Sequence, residues 1–239
     1  MQLEALFQPR SIAVIGASEK PTVGRRVVAS LDRIAFTGRI YPVNPSYPIV
    51  LGHACYASMA ELPEEPDVAV FCLGNARVLG AFVAAAERGI KGAVIYDGGF
   101  AEQGEDGRQL QGKIEGICRE ADIALCGPNC MGVLNPHHLS TTYLQELRNP
   151  AGLAGNVGIV SQSGGFSALA CFPIRGVSAS ATSSRPGTKP CSPPQIISNI
   201  SSKILGPRQS KRSSRPSGSL IASPARSTAP LSWVSRLLC

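Results

Sequence analysis

The chain has 239 residues, 44% hydrophobic and 16% charged, with 23 Lys and Arg against 16 Asp and Glu for a formal charge of +7. The length suits one or two domains, and the positive sign would by itself suit a nucleic-acid or membrane partner. The basic excess, however, lies wholly in residues 171–239, with 10 Lys and Arg and no carboxylate; residues 1–170 hold 13 basic and 16 acidic residues, a net of −3, which excludes an electrostatic case for nucleic acid there. The first predicted strand is S-I-A-V-I at 11–15, a short apolar run with β-branched members that stops at Gly16. A loop over 16–24 leads into a predicted helix at 25–34, with Val27, Val28, Leu31 and Ile34 on one side. Strands follow at 39–43, closed by Asn44-Pro45, and at 68–72, introduced by Pro66-Asp67. A helix rich in Ala, Val and Leu runs over 76–88 and stops near Gly89. A strand at 92–96, a helix near 105–120 and a strand at 123–125, ended by C-G-P-N, complete the series.

Alternating strands and helices, with nearly continuous apolar strands, predict an α/β fold: a parallel sheet covered by helices on both faces. In such sheets a ligand sits at the carboxyl ends of the strands. The loop at 16–24 joins a strand to a helix amino terminus, where free N–H groups and the helix dipole favour a phosphate. Lys20, Arg25 and Arg26 add positive charge beside it. The spacing is not G-x-G-x-x-G, and Asn44 stands where a dinucleotide enzyme places an acid for the ribose. That weakens a nicotinamide dinucleotide and leaves another phosphorylated nucleotide.

The eight cysteines, at 55, 72, 118, 126, 130, 171, 191 and 239, show no compact disulfide spacing. Cys126 and Cys130 lack a partner pair at metal spacing, so free thiols and no metal are expected. The opening M-Q-L-E lacks the charged segment and apolar core of a secretory leader. No apolar run approaches the ~20 residues that span a bilayer. A cytoplasmic protein without a membrane partner is therefore expected. His53, His137 and His138 are read as surface or loop residues.

Five motifs occur in one order: S-I-A-V-I-G-A-S at 11–18, I-Y-P-V-N-P at 40–45, G-G-F-A-E at 98–102, G-P-N-C-M-G at 127–132 and G-I-V-S-Q-S-G at 158–164. Over about residues 8–169 the chain resembles the NDP-forming acyl-CoA synthetases, which include ADP-forming acetyl-CoA synthetases and the alpha subunit of succinyl-CoA synthetase. The resemblance implies a Rossmann-like CoA-binding domain over 1–145, a linker over 146–155 and the first strand and turn of a flavodoxin-like domain over 156–170. It implies that Gly16, Ala17, Ser18, Glu19 and Lys20, with Gly24 and Arg25 at the helix entry, hold the phosphates of coenzyme A. Val43, Asn44, Pro45 and Tyr47 would contribute from the turn after the second strand, where relatives carry a Lys near position 47. Gly98, Gly99, Phe100, Asn129 and Cys130 would lie along the pantetheine arm. Ser161, Gln162, Ser163 and Gly164 would receive the phosphate of a phosphohistidine. In the complete family enzymes acyl-CoA, phosphate and NDP give acid, CoA and NTP, with ATP or ADP and Mg held by an ATP-grasp domain or subunit. No histidine here sits in a matching motif, so no catalytic residue is assigned. The expected role is the CoA-binding portion of such an enzyme, incomplete alone; the alternatives are a CoA-binding regulatory module or a subunit of a split synthetase.

Ser163 is not a hydrolase nucleophile: G-x-S-x-G is not met, and no Asp, Glu or His follows it. Residues 171–239 hold 17 Ser and 9 Pro and show neither helical nor strand periodicity. One reading is a disordered basic tail that binds acidic partners. The other is a shifted reading frame: 186–201, back-translated with chosen synonymous codons and shifted, can read S-G-N-E-A-V-L-T-A-A-D-Y-I-E-Y-L, which has carboxylates and helical periodicity. This hypothesis places the break between Leu169 and about Ile174; an intact frame in independent gene reads, with no shifted continuation nearby, would sink it. On either reading the strand near 157–160 is expected to lack its sheet neighbours, leaving the region after about 145 open to aggregation or proteolysis.

Overall fold

A computed structural model describes residues 3–146, 154, 159–161 and 181–184. A short helix α1 (Leu3–Phe7) precedes β1 (Ser11–Ile15), α2 (Val23–Arg33) and β2 (Arg39–Val43). A hairpin of two-residue strands, β3 (Ile49–Val50) and β4 (His53–Ala54), leads to β5 (Val68–Phe71), α3 (Asn75–Glu87), β6 (Gly92–Ile95), α4 (Glu105–Glu120) and β7 (Ala124–Cys126). The chain closes over one face through β8 (Cys130–Gly132), β9 (Leu134–Asn135) and β10 (Ser140–Thr141).

The main sheet has the order β2-β1-β5-β6-β7, and every pair is parallel. It is a Rossmann-like, doubly wound α/β sheet. Strand side chains alternate between its two faces. Ile12, Val14, Val68, Val70 and Val94 meet Val27, Val28 and Leu31 of α2 on one face. Ala13, Ile15, Ala69, Phe71, Ala93 and Ile95 meet Val78 and Phe82 of α3 and Ile114 of α4 on the other. Burial on both sides explains why these strands read as unbroken apolar runs. Each fully buried Val or Leu of α2 contributes roughly 1.5–3 kcal/mol, so α2 is held by its inner stripe.

The elements follow the sequence expectations with small shifts. The last sheet strand is Ala124–Cys126, not 123–125, because Asp122 turns the chain at φ 53 and Ile123 serves as its exit. Helix α2 starts two residues earlier than expected: the Thr22 hydroxyl accepts from the Arg25 N–H and caps it, taking Gly24 into the first turn. The segment after β7 stays with the first sheet through Leu144, whose N–H donates to Met131 O. Tyr143 is 1% exposed and packs with Ile34 and Leu134, and the Tyr96 hydroxyl donates to the buried Thr142 carbonyl.

Beyond residue 146 the described backbone comprises residue 154, β11 (Ile159–Ser161) and β12 (Ala181–Ser184). Strand β12 lies between β11 and β8, parallel to the first and antiparallel to the second. The sequence offered β11 no neighbour and 181–184 no strand periodicity; the backbone pairs the two. Gln162, Ser163, Gly164 and the rest of the Ser- and Pro-rich stretch, including the tail readings, lie outside the described residues.

Candidate functional site

The chain winds outward in opposite directions from β1 and β5, the two central neighbours, so the loops leaving their carboxyl ends part and open a crevice. Two loops, from β1 and β2, form one half of it, and three, from β5, β6 and β7, the other.

In the first loop Gly16 turns at φ +86, and a Cβ there would stand 2.5 Å from Cys72 O at the end of β5. Gly24 is needed for a different reason. Its backbone is ordinary helix, but a Cβ would meet Gly16 O at 2.5 Å and the Ala17 Cα at 2.8 Å. The amino terminus of α2 thus sits directly against 16–17. Ala17 is fully buried and Ser18 nearly so, while Glu19 and Lys20 are exposed. The backbone N–H groups of Ala17, Ser18 and Glu19 find no acceptor among the described residues. The Nε of Arg25 is buried and likewise without a partner among them. Unsatisfied donors of this kind are costly unless something accepts from them. An anion placed there would satisfy several at once.

The turn after β2 is bound to this loop by side chains. Asn44 Nδ2 donates to Ala17 O at 2.6 Å, and its Oδ1 accepts from Ser46 N at 3.0 Å. The Ser18 and Tyr47 hydroxyls lie 3.3 Å apart. Glu19 reaches further, accepting from Leu51 N at 2.6 Å in the turn of the β3–β4 hairpin. His53 and Asp32 tie that hairpin to α2 at 2.9 Å. Pro45 is exposed, whereas Val43 is buried in the core and offers only backbone to a ligand.

Across the crevice, Gly99 turns at φ +98. Its N–H donates to Glu102 Oε1 at 2.6 Å, and its carbonyl accepts from Asn75 Nδ2 at 3.2 Å. Burial alone would raise the Glu102 carboxyl, but the N–H groups of Glu102 itself, Gly99 and Phe100 outweigh it and hold the carboxyl below its ordinary range. Gly98 lies beside both Glu102 and Asn129, and Asn129 adopts φ 57. Two expected site residues turn inward. Phe100 is fully buried, and the Cys130 thiol donates to Ile95 O at 3.3 Å and Cys126 O at 3.5 Å. Their side chains belong to the core, so these positions can reach the crevice only through backbone. Ser161 ends β11 and is partly exposed.

The loop after β5 was absent from the sequence expectation. Cys72 ends at the point where the loops part; burial pushes its thiol well up, against the pull of the Arg26 charge. Asn75 opens α3 and braces Gly99. The available signal was Gly74, a glycine between an apolar strand and a helical pattern.

Charge is divided across the crevice. Lys20, Arg25 and Arg26 stand on the β1 side, and the exposed Asp97 and Glu102 on the β6 side. Such a site favours an elongated ligand with anionic groups at one end and a neutral, hydrogen-bonding arm at the other. Among the described residues no group of three or more His, Cys, Asp or Glu could hold a metal ion, and no helix is long and apolar enough to cross a membrane.

The family model described as a CoA binding domain matches residues 10–136. ADP-forming acetate–CoA ligase II of Archaeoglobus fulgidus is 39% identical over 168 residues, covering 69% of this chain and 24% of its own length. The alpha subunit of ADP-forming acetate–CoA ligase II from Pyrococcus furiosus is 36% identical, covering 70% of this chain and 35% of its own. Among solved structures, the dinucleotide-forming acetyl-coenzyme A synthetase 1 of Ca. Korarchaeum cryptofilum, in complex with phosphate and ADP, superposes with a TM-score of 0.69 at 31% identity, covering 77% of this chain and 39% of that one. The chain thus spans between a quarter and about a third of the length of these curated relatives. The chain belongs to the CoA-binding domain family of the ADP-forming acetyl-CoA synthetases.

Proposed function

We propose that the crevice binds coenzyme A, or an acyl-CoA, with its phosphates on the β1 side. The observation that carries this is the set of donors there that have no partner among the described residues: the N–H groups at 17–19 and the Arg25 Nε, beside the α2 amino terminus. Gly16, Ala17, Ser18, Glu19 and Lys20, with Gly24 and Arg25, surround the phosphates. Val43, Asn44, Pro45 and Tyr47 form the wall behind them. The pantetheine arm runs along Gly98, Gly99 and Asn129, with Phe100 and Cys130 acting through backbone. Coenzyme A supplies the thiol that carries the acyl group; this chain binds, orients and screens it.

The acyl transfer of the complete relatives lies beyond these residues. From residue 147 onward the sequence has no Asp, Glu or His, so it offers no phosphorylatable histidine after β10. A role for Ser161, Gln162, Ser163 and Gly164 toward a phosphate, the use of ATP or ADP with Mg, and a cytoplasmic location all belong to the complete enzyme. A second reading, a subunit of a split synthetase, is favoured by the relative named as an alpha subunit; mixing the chain with candidate ATP-grasp partners should then yield acyl-CoA-dependent ATP formation.

Calorimetry of the full chain with CoA, and with NAD as control, tests the main reading. Saturable CoA binding with no NAD binding is expected, because both ends of the Asn44 amide are already engaged and no acid stands there to hold a ribose diol. NAD binding without CoA binding would overturn it.

A further inference from the structure

We propose that Asn44 is a positioning residue of the coenzyme site, holding the first loop in its binding conformation by clamping the Ala17 carbonyl. The inference rests on the CoA reading above and assigns Asn44 a role through another residue in place of a direct contact.

Asn44 is engaged by the protein at both ends of its amide. Its Nδ2 donates to Ala17 O at 2.6 Å and its Oδ1 accepts from Ser46 N at 3.0 Å. Its own N–H donates to Tyr56 O, and its carbonyl accepts from the Cys55 thiol and from Tyr47 N. The residue is therefore fixed by the β2 turn before it touches the loop.

The consequence follows from peptide geometry. In a trans peptide the C=O of one residue and the N–H of the next point in opposite directions. Holding the Ala17 carbonyl toward Asn44 forces the Ser18 N–H to the other side, and that N–H has no acceptor among the described residues. Without the clamp, the 17–18 peptide could rotate and offer its carbonyl to an anion instead of its N–H. Two further bonds, Glu19 to Leu51 N and Ser18 to Tyr47, anchor the neighbouring residues to the same segment. Gly16 and Gly24 supply room for the loop but no directional restraint. Asn44 is the side chain that determines which way the 17–18 peptide faces.

The test uses the full chain with Asn44→Ser. A serine hydroxyl can still accept from the Ser46 N–H, as Ser does in turns, and it is neutral, but it is too short to reach Ala17 O. The expected result is about tenfold weaker CoA binding. The melting temperature should fall by a few degrees, as for the loss of one partly buried hydrogen bond. In the ligand-free protein, the backbone order parameters of residues 17–19 should fall from ~0.85 toward 0.6 or below. A second variant, Asn44→Asp, keeps the shape and the Ser46 acceptor but faces an acceptor toward Ala17 O. It should loosen 17–19 in the same way, and it decides the matter if the serine variant folds poorly. Unchanged CoA affinity would overturn the proposal. So would weaker CoA binding with residues 17–19 as rigid as in the wild type, which would mean that Asn44 touches the ligand itself. Absence of CoA binding by the wild-type chain would instead overturn the reading on which the proposal rests.

Discussion

Replacing Gly24 with alanine should weaken both the fold and the site, although alanine is the better helix former. Gly24 is the second residue of α2, and its backbone is not in the left-handed region, so local propensity favours the change by up to ~1 kcal/mol. The added Cβ, however, would stand 2.5 Å from Gly16 O, 2.8 Å from Ala17 Cα and 3.0 Å from Ala17 N. All three are backbone atoms of the loop that faces the ligand, and no flexible side chain can yield. Overpacking of this kind costs about 1–3 kcal/mol. With the full propensity gain subtracted, we expect a net loss of up to ~2 kcal/mol, which lowers Tm by up to roughly 8 °C in a chain of this size. Because the relief comes from moving α2 off the loop, CoA affinity should fall at least tenfold, about 1.4 kcal/mol. The matched control is Gly80→Ala in α3, where an added Cβ would have nothing within 4 Å. That change should raise stability by up to ~1 kcal/mol and leave CoA binding alone. Urea unfolding and calorimetry on both variants would measure the contrast. If Gly24→Ala were as stabilising as Gly80→Ala, or kept full CoA affinity, the packing of α2 against residues 16 and 17 would not matter as argued.

Three further perturbations probe other parts of the molecule. Glu102→Gln should flatten the acid limb of stability: a carboxyl held below its ordinary range stabilises the fold above its unfolded pKa of ~4.3 and loses that contribution as pH falls through the lower folded value. Urea midpoints at pH 6 and pH 3 should therefore differ less in the variant than in the wild type. Tyr96→Phe removes the hydroxyl that donates to the buried Thr142 carbonyl and should cost about 1–3 kcal/mol; an unchanged unfolding midpoint would show that this carbonyl does not need it. Cys118 is pushed up to about 12 by burial and the nearby Glu115, and Cys126 is also raised well above an ordinary thiol by its contact with Cys130 and by burial. At pH 8 both should alkylate slowly in the folded chain and at the rate of an ordinary thiol in urea, as peptide mass spectrometry would resolve.

The parallel sheet was readable in the sequence because burial on both faces leaves little room for polar residues. Residues 11–15 and 68–71 are buried throughout and appear as plain apolar runs. The β3–β4 hairpin was not readable, for a physical reason. Two-residue strands carry no period, and the turn places Leu51 at φ 50 and Gly52 at φ 84. A turn with two positive φ angles normally announces itself with Asn or Asp before Gly. Leu51 occupies the strained position here, its N–H held by Glu19, and a leucine gives no turn signal. The wrap over 130–144 was hidden likewise: its strands have two or three residues, and the burial of Tyr143 and Thr142 depends on contacts with Ile34 and Tyr96 that lie far away in the chain.

The site was readable to a different depth. Its position followed from strand order and loop composition, but the work of each residue did not. In the first loop the groups left open toward the crevice are mostly backbone N–H groups, at residues 17–19, and backbone has no residue code of its own. Phe100 and Cys130 stand in conspicuous motifs, yet their side chains are buried in the core. They shape the loop from beneath, so a mutation at either would be read as loss of binding when its cause is loss of packing. Glu19 shows the opposite. A carboxylate in a phosphate loop looks misplaced by charge alone, and it is explained once it is seen to accept from Leu51 N at 2.6 Å. The negative charge is thereby committed to the hairpin, while the neighbouring N–H groups of Ala17 and Ser18 remain free among the described residues. Sequence motifs in this fold therefore point to the crevice proposed for coenzyme A, and hydrogen-bond accounting separates the residues whose donors stay open there from those that aim them.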